Sequence, residues 1–105
     1  MSIIMNLYYT GKEGAARKYV EEMIISGTVD LIRNEEGNER YDFFQSLEDE
    51  NTILLIDAWK DQDSLDKHHE SPMMKTIIEL REKYDLHMVV EGLNNNTSDN
   101  KYIRK

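Results

Sequence analysis

Apolar residues recur along this chain with two different periods, and the switches between those periods outline its elements. Residues 3–9 are rich in β-branched and aromatic side chains and predict a strand. Gly11 and Gly14 mark the turn that follows. Ala16, Tyr19, Val20, Met23 and Ile24 then take helical spacing, with Glu21 and Glu22 on the wet face. Ser26-Gly27 predicts a cap or kink. Val29, Leu31 and Ile32 extend the helix by another turn or two, until Gly37 ends it as a left-handed residue. Residues 40–47 predict a second strand, with Tyr41, Phe43, Gln45 and Leu47 on one face and Asp42, Phe44 and Ser46 on the other. A polar turn at 48–51 joins it to a third strand at 52–60, so the pair predicts a hairpin. Residues 61–70 predict a short helix. Ser71 caps and Pro72 opens the next one, whose apolar face carries Met73, Met74, Ile77, Ile78 and Leu80. Residues 86–93 give the last strand, and 94–105 read as a polar tail.

The resulting order is strand, helix, strand, strand, helix in two pieces, strand. That is the split βαβ arrangement of a ferredoxin-like α+β sandwich, a four-stranded antiparallel sheet with helices on one face. It predicts one domain over residues 1–93, followed by the tail at 94–105. Ile53, Leu55 and Trp59 point to one side of the third strand while Leu54, Ile56 and Ala58 point to the other, and the first strand is apolar on both sides too. An open antiparallel sheet with a wet side alternates apolar and polar residues, and this one does not. The face without helices is therefore expected to pack on its own copy in a two-fold homodimer.

Composition narrows the partners. The 105 residues are 39% hydrophobic and 32% charged, which suits a globular domain. A net charge of -8 argues against binding nucleic acid or an anionic membrane surface, since both draw on clustered Lys and Arg. With no cysteine there is no disulfide and no thiolate metal site. No apolar run reaches bilayer-spanning length, and the N-terminus lacks the basic and apolar stretches of an export signal. A cytoplasmic location is the expectation, and the Asn95-Asn96-Thr97 and Asn96-Thr97-Ser98 glycosylation patterns then read as chance.

The chemistry concentrates in residues 57–72. There the only tryptophan, Trp59, closes an apolar strand, and His68 and His69 follow one helical turn after Leu65. Trp59 reads either as a core residue with its N–H bonded or as the wall of a pocket. Neighbouring helical residues do not both point inward, so one histidine is expected inside and the other outside. His68, His69 and Glu70 are adjacent rather than a turn apart, which argues against a metal site. His87 alternates out of phase with Leu86 and Met88 and is expected on the opposite sheet face. The methionines fit either an adaptable cavity or plain core packing. There is no cysteine or glycine-elbow serine for nucleophilic catalysis and no glycine-rich phosphate loop.

Three landmarks carry a resemblance over residues 3–93. They are Glu35-Glu36-Gly37-Asn38-Glu39-Arg40-Tyr41-Asp42, Asp57-Ala58-Trp59-Lys60-Asp61 and Leu65-Asp66-Lys67-His68-His69-Glu70-Ser71-Pro72. With these the chain resembles the antibiotic biosynthesis monooxygenase family, whose members are dimeric α+β barrels. The resemblance implies oxygenation of a quinol-like or polyketide-like aromatic by dioxygen, with no metal or flavin. It implies that His68 is the base or hydrogen-bond partner, that Trp59 walls the pocket, and that Tyr41 orients a substrate oxygen. Asn6 is a further candidate, as an amide near the reacting oxygen. Met73-Met74 departs from the histidine or aromatic that many members carry just after the Ser-Pro pair. The family also includes an isomerase of a phosphorylated signal, so an isomerase or tautomerase of a small carbonyl compound is the alternative. A non-catalytic dimer that binds a small hydrophobe is the third reading. Haem-degrading relatives use an Asn, a Trp and an iron-ligating His. Asn6 and Trp59 match two of these, but Ile78 stands near the third.

Overall fold

Every second residue of Ile3–Thr10 faces inward, and this strand, β1, lies inside the sheet rather than at its edge. Residues 2–92 are described in a computed structural model of the chain. After β1 come a 3-10 turn at Lys12–Gly14, the helices α1 (Ala15–Ile25) and α2 (Thr28–Arg33), and the strands β2 (Asn38–Gln45) and β3 (Thr52–Trp59). The helices α3 (Gln62–His69) and α4 (Pro72–Lys83) and the strand β4 (His87–Gly92) complete it. The sheet runs β2-β3-β1-β4 with every pairing antiparallel. This is the ferredoxin-like α+β fold that the element order predicted, with the helices on one face.

Strand parity decides what meets those helices. Met5, Leu7 and Tyr9 of β1 lie across from Asp57, Leu55 and Ile53 of β3, and Tyr41 of β2 also lies across from Asp57. These residues are buried against Ala16, Tyr19, Val20 and Met23 of α1, Val29 and Ile32 of α2, Leu65 of α3, and Ile77 and Leu80 of α4. At about 25 cal/mol per Å² of apolar area removed from water, this interface supplies most of the fold's stabilisation. The opposite sheet face carries Ile4, Tyr8, Leu54 and Ile56, all half-buried, with Phe44 and Val89 more than 40% exposed. Both faces of the sheet are thus apolar, as their sequences indicate.

Several boundaries differ from the sequence reading. The cap or kink expected at Ser26-Gly27 is a break between two helices, because Gly27 takes φ 83 and turns the chain. β2 begins earlier and stops at Gln45, with an irregularity between Asn38 and Arg40. Leu47, expected on a strand face, is fully exposed. The Ser46 hydroxyl accepts from the Glu48 and Asp49 amides, so the chain has already turned there. Ile24, Leu31 and Ile78 also lie outward, more than 40% exposed, at the margins of their helices' apolar stripes. Ser71 occupies the N-cap position of α4, yet its hydroxyl donates back to the His68 carbonyl at 2.7 Å instead of capping the helix. His87 is exposed, out of phase with buried Met88. Leu93 and the tail at 94–105 lie outside the described residues. Among the described residues no helix is long and apolar enough to cross a membrane.

One turn fixes how the two halves meet. Gly37 takes φ 88, its carbonyl accepts from the Lys60 amide at 2.9 Å, and a Cβ there would run into the Ser64 side chain. Only glycine combines that dihedral with that approach. The α2–β2 turn is thereby seated on the corner between β3 and α3. Gly37→Ala is expected to destabilise the protein by about 1–2 kcal/mol or more, as left-handed strain adds to the collision. Urea denaturation checks this, and an unchanged midpoint counts against the close approach.

Candidate active site

The α3 helix is eight residues long, and its start is set by Asp61, whose side chain accepts from the Ser64 amide at 2.9 Å. A carboxylate at that end also suits the helix dipole. From this start Leu65 and His68, three residues apart, fall on the same inward face. The His68 side chain is 4% exposed. Its ring stacks on Trp59 with centroids 4.7 Å apart, and Tyr41 stands edge-on at 6.5 Å. Its Nδ1 lies 3.0 Å from Glu35 Oε1, and Glu35 stands in the turn that Gly37 pins. A carboxylate accepts, so Nδ1 carries the hydrogen and Nε2 is the nitrogen with a lone pair for a ligand.

His68 borders a cavity of about 30 Å³ between the helices and the sheet. Met5, Met74, Met88, Leu55 and Ile77 supply most of its apolar wall, while Tyr41, Asp57, His69 and Arg81 bring polar groups to it. That volume holds one or two waters and no aromatic ring. Tyr41 is fixed from behind by Arg33, whose Nε and Nη2 donate to the Tyr41 carbonyl at 3.1 and 2.8 Å. Burial pushes the Tyr41 phenol well above its ordinary value, and the charges of Asp57 and Glu35 push the same way. Tyr9 is pushed up to about 12, again chiefly by burial. Both phenols stay protonated near neutral pH and are not bases.

Asp57 is the unexpected member. It is 3% exposed, and its Oδ1 accepts from Trp59 Nε1 at 2.7 Å. Burial pushes its carboxyl up to about 7, against the lowering effect of that hydrogen bond, and the nearby Glu35 charge raises it further.

The structure therefore unites His68 and Tyr41 at one cavity, as expected from the sequence. Trp59 is fully buried behind His68, stacked on the imidazole and bonded to Asp57, and the cavity wall does not include it. Its two alternative roles merge into a third, as the backing of the histidine. Asn6 is a correction. It lies across from Ile56 on the uncovered sheet face, because its neighbours Met5 and Leu7 take the helix side. His69, expected outside, is half-buried at the cavity rim, its ring 5.7 Å from that of His68. Asp57 shares parity with Ile53, Leu55 and Trp59, so strand alternation alone places it inside. Arg81 stands four residues after Ile77, a helical spacing that also signals it. No pattern in the sequence links Glu35 to His68.

Comparison with known proteins places the family and the fold. The family model of antibiotic biosynthesis monooxygenases matches residues 2–80. The "Putative monooxygenase YcnE" of Bacillus subtilis is 30% identical over 69 residues, 66% of this chain and 70% of that protein. The chain belongs to the antibiotic biosynthesis monooxygenase family. Among solved structures, a conserved protein of unknown function from Bacteroides thetaiotaomicron superposes with TM-score 0.76 at 18% identity, covering 88% of this chain and 95% of that one. SnoaB of Streptomyces nogalater, a cofactor-independent oxygenase, superposes with TM-score 0.72 at 12% identity, covering 91% and 94%. At such identities the superpositions speak for the fold.

The raised Asp57 carboxyl has a consequence for stability. Below about pH 4 it is protonated in both the folded and the unfolded chain. Between about 4 and about 7 the unfolded chain ionises while the folded chain keeps the proton, so stability falls as pH rises across that window. The total loss reaches up to about 4 kcal/mol at 1.36 kcal/mol per pKa unit. Asp57→Asn keeps the oxygen that Trp59 binds and removes the titration. Denaturation of both proteins across this range is expected to show the variant gaining on wild type as pH rises. A constant difference would place the Asp57 carboxyl at its ordinary value.

Proposed function

We propose that this protein is a cofactor-independent monooxygenase that oxidises a quinol-like or polyketide-like aromatic with dioxygen, as a homodimer joined through its open sheet face. The observation that carries this reading is His68. It is an imidazole held by Glu35 at Nδ1, backed by Trp59, and bordering a mostly apolar cavity. In this reading Nε2 takes the proton of a bound phenol and Tyr41 donates a hydrogen bond to the substrate oxygen. The apolar wall excludes water from the anion. The anion passes one electron to dioxygen and the radical pair recombines on carbon. One oxygen atom stays on the ring and the other leaves as water, so no external reductant is consumed. Membership of the family and the likeness to a cofactor-independent oxygenase support the same chemistry.

The cavity must widen to admit a ring. Three of its walls are methionines, whose unbranched thioethers repack at low cost. The narrowness favours one second reading on this site, an isomerase that moves a proton beside the carbonyl of a small compound without oxygen.

Oxygen consumption by purified protein with a panel of hydroquinones tests the first reading. We expect uptake above background and a loss of about 100-fold or more in His68→Gln, the range for removing a general base. Equal uptake by wild type and variant removes His68 from the reaction. Turnover of a hydroxycarbonyl compound under argon, without uptake in air, transfers the site to the isomerase reading.

The dimer follows from Ile4, Tyr8, Leu54, Ile56, Phe44 and Val89, an apolar face that the chain's own helices do not cover. Sedimentation equilibrium is expected to give twice the chain mass, and Ile56→Lys to give a folded monomer. A monomeric wild type ends that part of the proposal.

A further inference from the structure

Two proton-transfer groups border the cavity, and the reaction proposed above employs only one. Asp57 lies on the central strand β3, buried, directly across from Met5 on one side and Tyr41 on the other. Trp59 Nε1 holds its Oδ1 at 2.7 Å, which leaves Oδ2 as the oxygen for a ligand. The same Trp59 ring stacks on His68, whose Nδ1 is held by Glu35. One indole therefore orients the carboxyl through its N–H and the imidazole through its face. Each group has one atom anchored and one atom available.

We infer that Asp57 is a second catalytic residue, a neutral carboxylic acid that works with the His68 base on a substrate whose acidic C–H lies beside a carbonyl oxygen. His68 Nε2 removes the carbon-bound proton and becomes an imidazolium facing Glu35. The C–H electron pair forms the new C=C bond, and the carbonyl π pair moves onto oxygen. Asp57 delivers its Oδ2 proton to that oxygen, giving a neutral enol and an aspartate that His68⁺ and Glu35 adjoin. Reprotonation at a conjugated carbon completes an isomerisation; with dioxygen as oxidant the α-CH2 becomes C=O, one oxygen atom bonding to carbon and the other leaving as water with the two hydrogens. The assignment rests on the reading that ligands enter the His68 cavity, and it narrows the substrate class to enolisable aryl ketones and their phenolic tautomers.

The surroundings suit an acid. The charged and titratable groups bordering the same space are His68 and His69 from α3, Arg81 from α4, Tyr41 from β2 and Tyr9 from β1, with Glu35 of the α2–β2 turn on His68 Nδ1. Burial and the Glu35 charge hold the Asp57 proton to about 7, where it is available near neutrality. An ordinary aspartate would have lost it three units lower.

The test uses β-tetralone, an enolisable bicyclic ketone, under argon in deuterated buffer. NMR follows loss of the α-proton signals for the full-length wild type, Asp57→Asn and His68→Gln. We expect catalysed exchange by wild type with a rate that falls above about pH 7. In Asp57→Asn we expect a loss of about 100-fold and no remaining alkaline fall. Asparagine keeps the Trp59 bond, and thermal unfolding of each variant confirms that it is folded. Infrared difference spectra of wild type against Asp57→Asn near pH 6 supply a readout without ligand, and a protonated carboxyl band is expected. Exchange unaffected by Asp57→Asn, no exchange by wild type, or the absence of that band each overturns the assignment. Hydroquinone oxidation by wild type without β-tetralone exchange overturns it while sparing the oxygenase reading, and exchange without oxygen uptake does the reverse.

Discussion

The hydrogen bond from His68 to Glu35 is the contact on which the site depends. An imidazole so far removed from water needs a partner, because a buried polar group without one costs about 1–3 kcal/mol. Glu35 supplies that partner from the far side of the sheet's connectivity, thirty-three residues earlier in the chain. The bond fixes more than energy. It settles which nitrogen bears hydrogen, and so which nitrogen a ligand meets. It is available only because Gly37 lets the α2–β2 turn press against Ser64 at the start of α3. A backbone dihedral at one glycine is in this way connected to the proton chemistry of a histidine.

Around that bond the core carries polar groups that packing alone would not select. An aspartate in place of an apolar residue at position 57 loses stability whenever it ionises, and its tryptophan partner recovers only part of that loss. Groups kept in unfavourable protonation environments beside a cavity are a usual sign of function. The same economy is visible in the tyrosines. Tyr9, Tyr19 and Tyr41 are all buried and all held protonated, so none of these phenols brings a charge to the layer between helices and sheet. The methionines that fill the rest give this layer its capacity to adapt.

The uncovered sheet face is a separate matter with the same origin in strand parity. Odd-numbered positions of β1 and β3 build the core and the site, while even-numbered positions build the outer apolar face. Asn6 belongs to the outer set by one step of the chain. The chain's own helices cover only one of these two sides.

The fold was legible in the sequence because it is written in local periods. Short runs rich in β-branched and aromatic residues marked the strands, a spacing of three and four marked the helices, and Gly37 and Ser71-Pro72 marked two of the boundaries. The spacing after Leu65 left His68 and His69 both open to the inward position and the family resemblance pointed to His68, while the inward position of Asp57 was available from its parity with Trp59. What lies beyond such reasoning is any relation between elements that share no period. Glu35 reaches His68, Trp59 stacks behind the imidazole instead of lining the cavity, and the cavity shrinks to about 30 Å³ through side chains from four strands and two helices. Distances across a core are set by how whole layers pack, and packing is a property of all the side chains at once. Sequence determined which faces exist and which residues belong to them; only the assembled layers decided which of those residues touch.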